Sequence, residues 1–490
     1  MSTNLKMRWN IALATLAGLG LRLFFVLRYP TSDSGDAPFY IALAWNWLKH
    51  GIYGFPVSGK LTPVDMRVPG YPAFLAAVFT FAGQSTRAVM VAQTVMDLAT
   101  CFLIAMIASR LAPVNSRRKV AIAGLWLAAL CPFTANYTAV VLTETLVTFL
   151  TALAILVLLE SDLVAKQEPE FGPATANARR TGPLNQWFLA GIIVGFGALV
   201  RPETPLLLFA AGLILLAKWW RPVNWLKLVR AGIWMGVGLI LPLLPWAARN
   251  WRTLHDVQLL APRYSELPGE YTPRGIYAWT DTWLWRFGDV YLTLWNLNVD
   301  EISIDKLPSM AFDSSQERAR VSDLLDQYND TLTVGPEVDN QFRQIARERT
   351  ERHPLRTYVE IPLLRTLTLW FTPRVELLPV SGHMWPLGKE WEDDRQDFLT
   401  TLTLTIVNIF FLALAFAGAW IARRRPGWAF LILFILIRTA FFAKFVETPE
   451  PRYLLECFPA VIALAAQVWS KPNHEPVVPA AVQLSSTGSG

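Results

Sequence analysis

Long apolar runs separated by short polar segments recur along the chain, and they predict membrane-spanning helices. Ten runs approach the ~20 residues that cross a bilayer as a helix. They lie at 10–27, 86–110, 118–134, 140–160, 187–201, 204–220, 229–247, 399–421, 427–446 and 453–469. The pattern therefore predicts an all-α polytopic membrane protein, a transmembrane helical bundle of about ten spans.

A polar loop follows the first run and covers residues 28–85. Within it, residues 36–50 carry an apolar stripe at helical spacing, and residues 72–83 are apolar but too few to span. Both predict helices that lie at the membrane interface, where Trp and Tyr are favoured. Between them, Arg67-Val-Pro-Gly-Tyr-Pro72 predicts a rigid corner, because Pro fixes φ and Gly permits unusual turns.

The chain divides into four parts. We expect an N-terminal transmembrane module at 1–247, a periplasmic and interfacial α region at 248–398, C-terminal transmembrane helices at 399–470 and a disordered tail at 471–490. In the second part, 311–352 is charged and helix-like, and 353–371 is amphipathic. Arg356, Glu360 and Arg365 argue against a membrane crossing by 353–371, which is predicted to be interfacial.

Charge sets the predicted orientation. Only 17% of the residues are charged, against roughly 25% in soluble domains. The net charge of +6 does not indicate nucleic acid, because the basic residues fall in alternate loops, as the positive-inside rule requires. Those loops contain Arg110/Arg117/Arg118/Lys119, Arg179/Arg180, Lys218/Arg221/Lys227/Arg230 and Arg423/Arg424/Arg425. The outer face then receives the Asp36 loop, Glu144, Arg201-Pro-Glu203, Arg249 and the 447–452 stretch.

Metal and disulfide chemistry is not indicated. The three cysteines show no metal-ligand spacing, and the five histidines are scattered. The acidic run at 390–394 offers ligands for a divalent cation, but a solvated loop is the better interpretation. No cofactor is therefore indicated, and a divalent metal stays an open alternative.

Carboxylates in the outer loops are candidates for catalysis. Ionised Asp36 and Asp33 can accept a proton or a hydrogen bond from a hydroxyl nucleophile, but either can instead cap the helix that starts near Pro38. For Asp33, capping or solvation is favoured. Glu144 begins a helix, where it can complement the helix dipole or orient a substrate.

Arginines on the same face are candidates for binding a phosphate. Arg67, Arg201 and Arg452 each stand close to proline, and a guanidinium group matches phosphate oxygens. For any one of them, snorkelling or pairing with Glu203 or Glu450 is the better explanation, but the set favours function.

Two charges lie inside predicted spans. Asp97 is in the middle of the second span and Arg438 is well inside the ninth. Such charges are expected to be paired or to face a cavity. Their pairing with each other is one hypothesis, and a substrate contact is another.

An ordered set of motifs covers nearly the whole chain. They are Gly35-Asp36-Ala-Pro-Phe-Tyr40, Arg67-Val-Pro-Gly-Tyr-Pro72, Gln93-x-x-x-Asp97, Thr143-Glu144-Thr-Leu146, Val200-Arg201-Pro-Glu203, Pro245-Trp-x-x-Arg249-Asn250, His353-Pro-Leu-Arg356 and Glu450-Pro-Arg452-Tyr453. This series resembles the polyprenyl-phosphate-sugar-dependent glycosyltransferases of the GT-C superfamily. The bacterial relatives of the protein O-mannosyltransferases and of the aminoarabinose-to-lipid-A transferase are the most similar group.

The resemblance implies roles for individual residues. Asp36 would be the acidic residue of the first outer loop that engages the acceptor, with Tyr40 one turn on and Glu144 as a second acidic position. Arg67, Arg201 and the pair Arg452-Tyr453 would contact the donor phosphate. Glu203 and Arg249 belong to the same expected substrate-binding set. Ala37 departs from the Asp-Glu pair of the protein O-mannosyltransferases, which argues against a two-carboxylate site in this loop.

The expected function follows from these roles. The protein would transfer a monosaccharide from a polyprenyl phosphate, such as undecaprenyl phosphate, to a lipid, glycan or protein acceptor, with inversion at the anomeric carbon. It would act on the periplasmic side of a bacterial inner membrane. The alternative is a transporter or flippase for a lipid-linked saccharide, although no internal repeat or paired interrupted helices support it.

Overall fold

The computed structural model describes residues 3–470 except 34, 58, 162, 164–182, 222–223, 265–270 and 385–386. The fold is helical, with one small hairpin, and it confirms the predicted all-α polytopic membrane protein. The predicted tail 471–490 and the basic pair Arg179/Arg180 lie outside the described residues.

The first half of the chain contains the first outer loop and the N-terminal bundle. Its helices are α1 (Thr3–Arg28), α2 (Ala37–His50), α3 (Gly70–Ala82), α4 (Thr86–Leu111), α5 (Arg117–Ala129), α6 (Pro132–Asn136), α7 (Glu144–Glu160), α8 (Pro183–Ala198), α9 (Leu206–Trp219), α10 (Trp225–Ile240) and α11 (Leu244–Leu254). The strands β1 (Gly54–Val57) and β2 (Lys60–Pro63) pair antiparallel between α2 and α3.

The second half contains the polar section and the C-terminal helices. They are α12 (Arg274–Thr280), α13 (Phe287–Tyr291), α14 (Ser315–Asn329), α15 (Pro336–Arg352), α16 (Ile361–Phe371), α17 (Leu387–Asp393), α18 (Arg395–Ala422), α19 (Trp428–Phe445) and α20 (Phe458–Ala465). A 3-10 segment, Pro451–Cys457, leads into α20.

Fewer helices than ten pass a test of length and composition for crossing a membrane. In the described part of the chain there are five, Leu5–Arg28, Thr86–Leu111, Trp225–Leu254, Arg395–Ala422 and Trp428–Phe445. A sixth is obtained if the pair Val114–Ala129 and Pro132–Ala139, bent by 46°, counts as one span. The other predicted spans form the shorter helices α7, α8, α9 and α20. Pro205 and Pro459 stand at the starts of α9 and α20, inside apolar runs that are continuous in the sequence.

The first outer loop forms the two helices that its pattern predicts, α2 and α3. The hairpin between them was not predicted. Two backbone contacts attach this loop to the bundle. Thr31 donates its N–H to the carbonyl of Ala139 at 2.9 Å, and Gly70 donates to the carbonyl of Leu199 at 2.6 Å. The loop is therefore fixed beside the starts of α7 and α9.

The polar section forms a helical unit around its own core. Helices α12, α14 and α15 enclose Trp279, Trp283, Tyr328 and Phe342, all of which are fully buried. The predicted helical character of 311–352 is confirmed by α14 and α15. The amphipathic run also forms a helix, α16, whose Arg365 is buried against the helical unit.

Candidate functional site

A cavity of about 1020 Å³ lies where the first outer loop meets the starts of α7 and α9 and the segment before α20. It gathers all of the predicted site residues except Arg249. They are Asp36, Tyr40, Arg67, Glu144, Arg201, Glu203, Arg452 and Tyr453. The prediction that these positions share one face therefore agrees with their placement, while their chemical roles remain predictions.

The backbone contacts explain why distant residues meet in this cavity. The bond from Thr31 to Ala139 places the Asp36 turn beside the segment that leads to Glu144. The bond from Gly70 to Leu199 places the Arg67 corner beside Arg201. Arg374 donates to the carbonyl of Pro451 at 2.9 Å and so anchors the segment that carries Arg452.

Asp36 is held between two arginines. One carboxylate oxygen, Oδ1, accepts a hydrogen bond from Nη2 of Arg67 at 2.8 Å, and Oδ2 lies 3.6 Å from Nη2 of Arg452. Asp36 stands at the N-cap position of α2, but its side chain makes no capping hydrogen bond. The interpretation of Asp36 as a helix cap is therefore wrong, and its carboxylate is available to the cavity.

The two arginines also keep Asp36 charged. Burial alone would raise the pKa of this carboxyl, but the positive charges of Arg67 and Arg452 outweigh burial and hold the pKa below its usual range. Asp36 is thus an anion at neutral pH. Asp33, three residues earlier, is exposed and does not line the cavity, which agrees with the preference for solvation.

Arg201 and Arg452 each contact more than one carboxylate. Glu144 Oε1 lies 3.3 Å from Nη1 of Arg201 and 4.0 Å from Nη1 of Arg452. Arg452 Nε lies 2.5 Å from Glu450 Oε2, and Arg201 Nε lies 3.9 Å from Glu203 Oε2. The ring of Tyr453 lies against both guanidinium groups, at 5.2 Å from Arg201 and 5.5 Å from Arg452.

Several buried polar atoms of this cluster make no hydrogen bond. They are Nε of Arg67, Oε2 of Glu144 and Oε2 of Glu203. Buried polar atoms in proteins are almost always satisfied by protein or by solvent and ligand. Their concentration at one cavity indicates a site that binds polar groups of a ligand.

Part of the cavity lining is apolar. It consists of Leu206 and Phe209 of α9 and Phe441, Phe442 and Phe445 of α19, and the ring of Phe442 stacks on that of Tyr453 at 4.8 Å. Phe209 and Phe445 are also more than half exposed, so this apolar lining continues onto the outer surface of the bundle. One cavity thus combines a cationic cluster with an apolar groove.

The two charged residues that were singled out inside predicted spans, Asp97 and Arg438, form ion pairs with different residues. Asp97 pairs with Arg22 of α1 at 2.6 Å, and Arg438 pairs with Glu456. The hypothesis that Asp97 and Arg438 pair together is wrong. Arg22 and Glu456 were both missed, although each is a charged residue inside a predicted span, 10–27 and 453–469, just as Asp97 is.

Glu456 and Glu376 are further carboxylates near the cluster. Glu456 Oε1 lies 3.8 Å from Nε of Arg201, so it connects the buried Arg438 to the cavity. Glu376 accepts a hydrogen bond from the Tyr137 hydroxyl at 3.0 Å. Burial raises the pKa of Glu376, and the charges of Arg374 and Arg452 offset this only in part. No sequence motif marked Glu376.

Arg249 lies apart from the cavity. Its guanidinium donates to the backbone carbonyls of Tyr53 at 2.7 Å and Val64 at 2.9 Å, so it holds the hairpin rather than the main site. Arg249 is absent from the lining of this cavity, and its expected role in binding substrate stays a prediction. Among the described residues, no group of three or more His, Cys, Asp or Glu is arranged to hold a metal ion, and the run at 390–394 belongs to no such group.

The chain is similar to solved oligosaccharyltransferases of Archaeoglobus fulgidus. A structure of AglB with an inhibitory peptide and a dolichol-phosphate matches over 96% of this chain, at 13% identity and a TM-score of 0.49. A structure of the oligosaccharyltransferase with zinc and sulfate matches over 93%, at 13% identity and a TM-score of 0.49. This chain spans about half the length of the chains it matches, 50% and 48% respectively.

No protein-family model matches the sequence, and no curated protein matches it.

Proposed function

We propose that the protein is a membrane glycosyltransferase that moves a monosaccharide from a polyprenyl phosphate to an acceptor hydroxyl. The observation that carries this proposal is the composition of the cavity. Three guanidinium groups, of Arg67, Arg201 and Arg452, and apolar side chains of α9 and α19 line the same cavity. A phosphate with a long apolar chain is the ligand class that meets both surfaces.

The arginines would bind the donor phosphate and stabilise its charge as the sugar leaves. The phosphate is the leaving group, and its oxygens carry the negative charge that develops when the glycosidic bond breaks. Fixed positive charges around it lower the barrier because they need little reorganisation during the reaction. The phosphate oxygens would bind these guanidinium groups in exchange for part of their contacts with Asp36, Glu144 and Glu450.

Asp36 would orient the acceptor and take its proton. Because its pKa is lowered, it is a weak base, and proton transfer would be late, after the bond to the leaving phosphate has largely broken. Attack from the side of the ring opposite the phosphate would invert the anomeric carbon. Glu144, whose Oε2 is buried without a hydrogen bond, would bind a hydroxyl of the sugar or of the acceptor.

The resemblance of the sequence motifs to GT-C glycosyltransferases supports the same assignment. The proposal includes a location in a bacterial inner membrane, with the site on the periplasmic side. The donor sugar and the acceptor belong to the classes named above, a lipid-linked monosaccharide and a lipid, glycan or protein hydroxyl. A membrane acceptor would reach the cavity from the side of α9 and α19 or from beneath the polar helical unit.

The test is release of free polyprenyl phosphate by the purified protein. The protein is incubated with a mixture of polyprenyl-phosphate sugars and a membrane lipid extract, and the lipids are measured by mass spectrometry. Asp36→Asn is expected to lower donor consumption by about 10²-fold or more. Asp33→Asn, which changes an exposed carboxylate of the same loop, is expected to behave as wild type.

Two results would contradict the proposal. Equal donor consumption by wild type and Asp36→Asn would remove Asp36 from the reaction. The protein would instead be a transporter if a labelled lipid-linked sugar moved across the membrane of vesicles that contain it, and no donor released polyprenyl phosphate.

A further inference from the structure

A second cavity, of about 450 Å³, lies behind the corner that carries Arg67. It is enclosed by the end of α2, the hairpin, the start of α3, the end of α8 and the break between α10 and α11. Most of its lining is apolar. The lining includes Ala73, Phe196, Leu199, Pro242, Trp246 and Arg249. The Pro245-Trp-x-x-Arg249 motif, which the proposed reaction does not use, forms one side of it.

Arg249 brings a positive charge to this cavity that no carboxylate neutralises. Its guanidinium donates only to neutral groups, the carbonyls of Tyr53 and Val64 and Oδ1 of Asn250 at 2.9 Å, and it lies over the ring of Trp246 at 5.0 Å. In the described part of the chain no Asp or Glu lies within ion-pair distance of it, although the charge of Asp65 reaches it from further away. The site is therefore complementary to an anion.

Trp246 adds an unused donor. Its side chain is 5% exposed, and its indole N–H is buried without a hydrogen-bond partner. A buried indole N–H normally has an acceptor, so this N–H is available to donate to an atom of a ligand.

The cavity stands at the edge of the bilayer region. Helix α10, which leads into it, belongs to a segment long and apolar enough to cross a membrane, Trp225–Leu254. Phe196, which lines the cavity, is 53% exposed, and Leu241, Leu244 and Trp251 around it are exposed as well. Exposed Trp beside an apolar helix end is typical of the membrane interface.

The wall between the two cavities is thin. Gly70 and Leu199 line the second cavity, while their neighbours Val68 and Val200 line the first. A Cβ on Gly70 would lie 2.5 Å from the carbonyl oxygen of Leu199, so the two backbones touch directly. A ligand in the second cavity would therefore contact the segments that carry Arg67 and Arg201.

We propose that the second cavity binds an anionic phospholipid of the bilayer. One hydrocarbon chain would fill the apolar interior beside Phe196 and Leu199, and the phosphate would meet Arg249 and the indole N–H of Trp246. The unneutralised charge of Arg249 selects an anionic headgroup over a zwitterionic one. This site is separate from the groove between α9 and α19, and it does not depend on the proposed reaction.

Photolabelling of the full-length protein tests the proposal. The protein is placed in phosphatidylcholine nanodiscs, a trace of phosphatidylglycerol with a diazirine in one acyl chain is added, and the labelled peptides are mapped by mass spectrometry. Label is expected on the peptides containing Phe196 to Leu199 and Pro242 to Thr253. Unlabelled phosphatidylglycerol is expected to compete about tenfold better than phosphatidylcholine with the same chains.

A pocket-filling variant and a matched control sharpen this test. Ala73→Trp puts an indole into the cavity and is expected to lower labelling of these peptides by about fivefold or more. Ala77→Trp, one helical turn further along α3 and outside the cavity, is expected to leave it unchanged. Arg249→Gln is expected to remove the preference for phosphatidylglycerol while labelling persists. Because Arg249 also holds the hairpin, Ala73→Trp supplies a test that does not rely on Arg249.

Three outcomes would overturn the proposal. They are equal competition by phosphatidylcholine, labelling confined to α9 and α19, and unchanged labelling of Ala73→Trp. Polyprenyl phosphate release measured in the same samples reports on the proposed reaction separately, so failure of the lipid site and failure of the transferase assignment are distinguishable.

Discussion

Arg22 and Asp97 show how a buried charge is accommodated in this bundle. Arg22 is fully buried, and besides Asp97 it donates hydrogen bonds to the carbonyls of Gly18 at 3.0 Å and Ala129 at 2.6 Å. A single uncompensated charge in a membrane helix is costly, by about 2.5–3.5 kcal/mol on insertion scales. The pair joins α1 to α4 and α5, so it fixes the position of the helix that precedes the Asp36 loop.

Removing one member of this pair is expected to destabilise the protein. Arg22→Met leaves the Asp97 carboxylate buried alone, which typically costs about 3–5 kcal/mol. The double variant Arg22→Met with Asp97→Leu is expected to recover much of the loss. Thermal unfolding in detergent measures both. A single variant as stable as wild type would show that the pair does not hold α1.

The pH dependence of transfer is expected to follow the charge of Asp36. The pKa of Asp36 is lowered. An ordinary Asp has a pKa of ~3.9, and Asp36 stays ionised at pH values where such a residue would begin to protonate. The rate loss that comes from protonating Asp36 should therefore appear only as pH falls through this lowered value. Arg67→Gln removes one of the positive charges, so the acid limb should move to higher pH. An acid limb at the same pH in both proteins would contradict this.

At the scale of elements, local patterns predicted the helices of the first outer loop, because residues 36–50 carry an apolar stripe at helical spacing and residues 72–83 form a short apolar run. The hairpin Gly54–Pro63 was missed, since each strand has only four residues and carries no clear alternation. Contacts between distant segments, such as Arg22 with Asp97 and Gly70 with Leu199, leave no signal in a single sequence. That Asp36, Glu144 and Arg452 lie on the same side of the membrane could be predicted only from the series of motifs and from the basic residues in alternate loops.

Gly70 joins the first outer loop to the bundle at a junction that leaves no room for a larger side chain. Gly70→Ala would place a methyl group 2.5 Å from the Leu199 carbonyl oxygen, so the Arg67 corner and the end of α8 must separate. We expect a loss of stability of about 1–3 kcal/mol together with reduced polyprenyl phosphate release. Gly20→Ala, with no atom within 4 Å of the new methyl group, is the control and is expected to be neutral. Equal behaviour of the two variants would contradict the tight junction.

At the scale of the whole molecule, the polar helical unit is attached to the membrane part at the edge of the cavity. Arg365 of α16 donates to the carbonyl of Leu284 at 2.8 Å, to Asp281 at 2.9 Å and to the carbonyl of Val446 at 3.2 Å. Val446, Glu447 and Thr448 all line the cavity. One buried side chain thus connects the unit to the wall of the site.

Loss of this connection is expected to loosen the cavity wall. Arg365→Met should increase amide hydrogen exchange at 446–450 and raise the KM for the lipid-linked donor several-fold, because both depend on the position of that segment. Arg318→Met removes an exposed ion pair with Asp305 in the same unit and should change stability by less than about 0.5 kcal/mol. Unchanged exchange in Arg365→Met would show that the segment is held by other contacts.

The carboxylate partners of the three cavity arginines have a consequence for turnover. Asp36, Glu144 and Glu450 already neutralise these cations, so an arriving phosphate exchanges one set of anionic contacts for another and gains little net binding energy. The same exchange runs in reverse after the sugar has left, when the carboxylates reclaim the guanidinium groups. On the proposed reaction, the ion pairs would therefore keep the spent lipid carrier from remaining bound and return the cavity to its starting state for the next cycle.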